Sequence, residues 1–98
     1  MDRDAILEAL RAHRNELQEA GIRHLSLFGS VARGDGDAAS DVDLAAVIEP
    51  ASRMDLVGLV SVERRLGELL GRKVDLLPEP VEQARLQAAI DRDRRRAF

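Results

Sequence analysis

The sequence predicts an α/β domain in which a small mixed sheet is flanked by helices. Apolar residues recur at helical spacing in two long stretches and at strand spacing in three short ones. The two kinds of stretch alternate along the chain, and Gly, Pro and Asp-Gly-Asp punctuate them where a linker would otherwise stand. At 98 residues the chain makes one domain, 1–98, with room for a single modest core.

Ile6, Leu10 and Leu17 mark a helix over residues 3–20, with Gly21 placed as its C-cap. Leu25, Leu27 and Phe28 form a strand over 24–28 that stops at Gly29. The segment from Ser30 to Arg33 fits one helical turn, and 34–40 is loop by its Gly, Asp and Ser content. Val42, Leu44 and the run from Ala45 to Ile48 predict a buried strand over 41–49, ended before Pro50. Ser52 is placed to cap a helix over 52–70, whose stripe is Leu56, Leu59, Val62, Leu66, Leu69 and Leu70. Val74, Leu76 and Leu77 make a third strand over 73–77, stopped by Pro78. A final helix over 81–93 runs into the basic tail of Arg92, Arg94, Arg95 and Arg96. A solvated, frayed end is the expectation for that tail, and docking on an acidic partner with Phe98 as anchor is the alternative.

Composition narrows the function. The 45% hydrophobic and 34% charged fractions suit a globular domain. Phe28 and Phe98 are the only aromatic residues, so the core is aliphatic and bases have no platform on which to stack. A net charge of -3 gives no field that recruits nucleic acid or an anionic membrane. The absence of Cys excludes disulfides, zinc thiolates and thiol catalysis. Charges open the N-terminus, and no apolar run reaches membrane length, so no signal peptide or span is expected and the default location is cytoplasmic.

The chemistry concentrates in Leu27-Phe28-Gly29-Ser30-Val31-Ala32-Arg33-Gly34 and Ser40-Asp41-Val42-Asp43-Leu44. Asp41 and Asp43 are two apart on a strand, so their carboxylates share a face about 7 Å apart along the chain. They repel unless protonated or bridged by a cation, and Mg²⁺, hard and oxygen-liganded, is the natural bridge. Taken alone, the pair fits equally well an exposed strand end whose acids keep a loop soluble. Gly29 lets the backbone approach a ligand closely, and Ser30 opens a helical turn whose N–H groups suit a phosphate; an ordinary tight turn is the plain alternative. Arg33, one turn on, is placed to clamp a phosphate or to stand in solvent. Asp75, flanked by Val74 and Leu76, is costly among apolar neighbours without a partner. If its strand pairs with the one bearing Asp41 and Asp43, three acids converge. Lys73, the only lysine, shares the face of Asp75, although an exposed Lys blunting a strand start is the simpler reading.

Other matches fail. Gly29 and Gly34 have P-loop spacing, but Asp35 stands where Lys is required. Asp35-Gly36-Asp37 opens like a calcium loop, yet Ser40 and Ala46 occupy the positions that need Gly and Glu. Arg33-Gly34-Asp35 is an adhesion tripeptide only in extracellular loops, and His13 and His24 have no metal-ligand partner at useful spacing.

Taken together, Gly29-Ser30, ten intervening residues, Asp41-x-Asp43 and a later Asp75 resemble the polymerase-beta-like nucleotidyltransferase superfamily. The shape Phe28-Gly29-Ser30-x-Ala32-Arg33-Gly34 followed by Ser40-Asp41-x-Asp43-Leu44 is similar to its minimal nucleotidyltransferase (MNT) subgroup. The resemblance implies that fold. It implies Mg²⁺ held by Asp41 and Asp43, with Asp75 completing the metal site or taking the proton of an attacking hydroxyl. It also implies ATP as donor, with Gly29, Ser30 and Arg33 on its phosphates.

Relatives of this subgroup act as antitoxins that adenylylate a Tyr of a HEPN RNase toxin, so the resemblance implies a HEPN partner and a hetero-oligomer. The short chain is expected to lack an acceptor-binding domain, and direct nucleic-acid or membrane binding is not expected. With no Tyr and no Thr of its own, any Tyr acceptor must come in trans. Two alternatives stay open: a non-catalytic antitoxin acting by occlusion, and the catalytic subunit of a two-chain enzyme with another acceptor.

Overall fold

In the computed structural model, which describes residues 1–98, the chain order is α1 (Arg3–Ala12), α2 (Arg14–Ala20), β1 (Ile22–Phe28), α3 (Gly29–Arg33), β2 (Val42–Ile48), α4 (Leu56–Leu70), β3 (Val74–Glu79), α5 (Ala84–Asp93) and β4 (Arg95–Arg96). The strands form one mixed sheet in the order β3-β2-β1-β4. β1 pairs antiparallel with β2 and β4, while β2 and β3, joined through α4, are parallel. The expected α/β architecture and its three strands are present.

Alternation along the strands gives the sheet two faces. Leu25, Leu27, Val42, Leu44, Ala46, Val74 and Leu76 join Ile6, Leu10, Leu17, Leu66 and Leu70 from α1, α2 and α4 in the main core. The opposite face is covered in part: Phe28 and Ala45 pack with Ile90 of α5 in a smaller cluster. With apolar residues on both faces, the middle of β2 is fully buried at Leu44, Ala45 and Ala46. No helix is long and apolar enough to cross a membrane.

Several boundaries differ from expectation. The first helix is two, broken at His13, which leaves helical geometry while its ring nitrogen Nδ1 lies 2.9 Å from the Ala9 carbonyl. Ser52 does not cap α4. That role falls to Asp55, whose carboxylate accepts from the Gly58 N–H at 2.8 Å, so the helix starts at Leu56. The stripe is correspondingly shorter: Val62, Leu66 and Leu70 are buried, whereas Leu56, Val57 and Val60 are exposed. β3 runs through Pro78 to Glu79 because it is an edge strand, where a missing N–H costs no ladder bond.

The largest correction is the tail, which is docked and not frayed. Arg95 and Arg96 pair with Leu27 and Ser26, and Ala97 is buried. Arg11 donates from Nε to the Ala97 carbonyl at 2.9 Å and from Nη2 to the Arg96 carbonyl at 3.0 Å. Arg94 reaches under the sheet to the Ser26 hydroxyl at 3.0 Å and forks onto the Glu79 carboxylate, whose side chain is only 7% exposed. Backbone pairing plus a nearly buried ion pair outweighs the repulsion among the arginines.

Candidate active site

β2 and β3 are registered with Val42 beside Val74, Asp43 beside Asp75 and Leu44 beside Leu76. Since Val42, Leu44, Val74 and Leu76 face the main core, Asp43 and Asp75 stand side by side on the opposite face. Asp41 lies two residues upstream, at the mouth of β2. Lys73, two before Asp75, reaches it with Nζ 3.6 Å from Oδ2. The three acids singled out in the sequence therefore lie at the same end of two adjacent strands, all half-buried. Lys73 pairs with Asp41 and is otherwise exposed.

Burial pushes the Asp43 carboxyl up from its ordinary value, Asp75 and then Asp41 push it further, and Arg33 partly opposes them. The site is short of positive charge. No three acidic or imidazole side chains are gathered closely enough to form a ready-made metal cluster. Hard oxygen donors on one face, one of them held against its ionised form, fit a divalent cation such as Mg²⁺.

On its other side Asp43 is registered with Phe28 of β1, which places Gly29 directly against its carboxylate. A Cβ at Gly29 would collide with Asp43, and the residue sits at φ +78, a left-handed value that side chains disfavour. Glycine here is required twice over.

Gly29 opens α3, whose first N–H groups have no side-chain cap. The Ser30 carbonyl accepts from the Asp35 and Gly36 N–H groups, each at 3.1 Å, which folds the following loop back over α3. Gly36 permits that approach: a Cβ there would sit 3.1 Å from both Ser30 Oγ and Val31 N. Within the loop, Asp37 Oδ1 accepts from the Ala39 N–H at 2.9 Å and from the Ser40 hydroxyl, and these bonds hold its carboxyl below the usual range. Arg33 closes α3 and is tied to Asp35 and Asp93.

Two contributors escaped sequence reasoning. Arg72 donates to the carbonyls of Asp37, Ser40 and Met1, and so pins the loop that leads into Asp41. Asp93 anchors Arg33 from 60 residues away. Neither belongs to a motif; each is one charged residue among many. A cavity of about 400 Å³ lies between this loop and the start of α1, lined by Arg3, Val31, Gly36, Asp37 and Arg72 among others. None of Asp41, Asp43 and Asp75 borders it.

A family model described as a nucleotidyltransferase domain matches residues 10–97. The chain is 37% identical over 75 residues to the protein adenylyltransferase MntA of Thermococcus cleftensis, spanning 76% of this chain and 74% of that protein. A solved structure described as a minimal nucleotidyltransferase superposes with a TM-score of 0.78 at 31% identity, over 97% of this chain and 95% of its own. At 17% identity, a solved complex of a tri-AMPylated Shewanella oneidensis HEPN toxin with an MNT antitoxin shares the fold, with a TM-score of 0.60 over 89% of this chain and 70% of that one.

Proposed function

The chain belongs to the nucleotidyltransferase domain family, and we propose that it is a protein adenylyltransferase that moves AMP from ATP to a hydroxyl of a partner HEPN toxin, expected on a Tyr, and thereby acts as its antitoxin. The observation that carries this reading is the register that sets Asp43 beside Asp75 on one side and against Gly29 on the other. That arrangement brings a carboxylate cluster and the start of α3 to one place.

Each residue has a role that its position supports. Asp41 and Asp43, with Asp75 beside them, would hold Mg²⁺. When bound, the cation supplies positive charge against the phosphate oxygens of the donor. Gly29 and Ser30 offer the donor a close backbone approach, uncapped N–H groups and a hydroxyl with no hydrogen-bond partner in the chain. Arg33 adds a guanidinium at the end of the same turn. The acceptor hydroxyl oxygen forms a bond to the α-phosphorus while the bond from that phosphorus to the bridging oxygen breaks, and pyrophosphate leaves. Asp75, beside Asp43, would complete the metal site or take the hydroxyl proton.

The acceptor is a second protein. The chain contains no Tyr, and its relative MntA is named for transfer to protein. The complex with a HEPN partner is a hetero-oligomer, and neither nucleic acid nor membrane is needed for the reaction.

Intact-mass analysis of the co-expressed partner, with wild type and with Asp43→Asn, tests the proposal. Mass additions in AMP units that vanish with Asp43→Asn are expected. An unmodified partner whose toxicity is nevertheless neutralised would overturn transfer in favour of occlusion.

A further inference from the structure

Two of the three nitrogens of the Arg33 guanidinium are held by carboxylates. Nε donates to Asp35 Oδ2 at 3.2 Å and Nη1 to Asp93 Oδ2 at 2.8 Å, while Nη2 has no partner in the chain. Asp93, the last residue of α5, has a side chain only 5% exposed, against 63% for Asp35. Arg92 also donates to Asp93, from Nε at 3.0 Å. This carboxylate at a helix end is covered by two surface arginines and takes no part in the apolar core. An unanchored surface Arg samples many rotamers, whereas two fixed N–H groups on a planar fork set the plane and direction of the whole group. Arg33 ends the five-residue helix α3, whose first residue, Gly29, abuts the Asp43 carboxylate.

We infer that Asp93 is a positioning residue for the donor nucleotide: it fixes Arg33 from behind, so that the unclaimed Nη2 edge is presented to a phosphate beside the acids. Asp35, more exposed, steadies the same group from the loop. The inference rests on the nucleotidyltransferase reading and adds a residue to it. Asp93 itself touches no substrate.

A thermodynamic cycle on Mg²⁺-ATP binding, measured by calorimetry with the full chain, tests it. Asp93→Asn is expected to weaken binding about tenfold, the worth of one misaligned charge-assisted hydrogen bond. Arg33→Ala weakens it by at least as much, and Asp93→Asn added to Arg33→Ala changes it less than twofold. Asp93→Glu, which keeps the charge, recovers part of the loss. In turnover, Asp93→Asn raises KM for ATP more than it lowers kcat. Thermal melts establish that each variant is folded. If Asp93→Asn is not, Arg33→Lys reports instead, because an ammonium lacks the planar fork that the two carboxylates orient, and it should also weaken binding about tenfold.

Wild-type affinity in Asp93→Asn, or in Arg33→Lys where that variant reports, would overturn the inference. So would an unchanged penalty of Asp93→Asn in the Arg33→Ala background. Folded wild type that binds no Mg²⁺-ATP would overturn the nucleotidyltransferase reading and this inference with it. Binding that is normal and indifferent to Asp93 overturns this inference alone.

Discussion

Gly29→Ala isolates the contact that joins the start of α3 to the carboxylate cluster. At φ +78 the added Cβ meets the left-handed penalty, about 1–2 kcal/mol. It also collides with the Asp43 carboxylate, and relieving such overpacking costs about 1–3 kcal/mol. Reduced freedom of the unfolded chain returns roughly 0.5 kcal/mol. The net loss is about 3 kcal/mol, which in a domain of this size lowers the melting temperature by about 10–20 °C. Activity should suffer separately, since displacing by about 1 Å a carboxylate proposed to hold the cation costs on the order of 100-fold. Differential scanning calorimetry and AMP transfer, both run below the lowered melting temperature, measure the two effects independently. A variant that melts within about 2 °C of wild type and retains full transfer would refute the placement of Gly29 against Asp43.

Other perturbations have opposite signs and so discriminate well. Asp43→Asn removes a carboxyl that burial and its acidic neighbours hold against ionisation, so in metal-free buffer at neutral pH the variant should melt above wild type while losing transfer activity; a lower melting temperature would contradict the electrostatic account. Arg94→Ala strands the Glu79 carboxylate, which is 7% exposed, and should cost about 3 kcal/mol in urea denaturation; a loss under about 0.5 kcal/mol would mean the tail is frayed after all. The bond from Arg94 holds Glu79 below the usual carboxylate range, so the pair stabilises the fold above the ordinary Glu value and that contribution fades as pH falls through the lowered one. Comparing Glu79→Gln with wild type over an acid titration checks that sign. Arg72→Ala frees the loop before Asp41 and should lower transfer far more than it lowers the melting temperature, a split that equal losses would rule out.

Much of this architecture is legible from local chemistry. The core strands announce themselves by apolar runs, and the Asp41-x-Asp43 pair stands out because acids are costly beside Val42 and Leu44. Asp75 is visible for the same reason, but its position beside Asp43 depends on parallel pairing that no local pattern states. The missed features are those in which tertiary contacts override propensity. Arg95-Arg96 has no strand signature, yet it pairs because β1 offers an open edge and Ala97 finds a buried seat. Ser52 and Asp55 are both good caps, and the choice between them depends on where α4 meets the sheet. Leu56 lies on the expected apolar stripe and is nevertheless 74% exposed. Arg72 and Asp93 act through carbonyls and a guanidinium far away in sequence, a kind of contact with no periodicity to read.

If the acids around Asp43 serve nucleotidyl transfer to another protein, the label must travel with the α-phosphate. Incubating the chain and its cognate partner with Mg²⁺ and ATP labelled at either the α- or the γ-phosphate tests it most directly. Expected are α-label on the partner, no γ-label, and neither with Asp43→Asn. Transfer of γ-label, or α-label that persists in the Asp43→Asn variant, would contradict it.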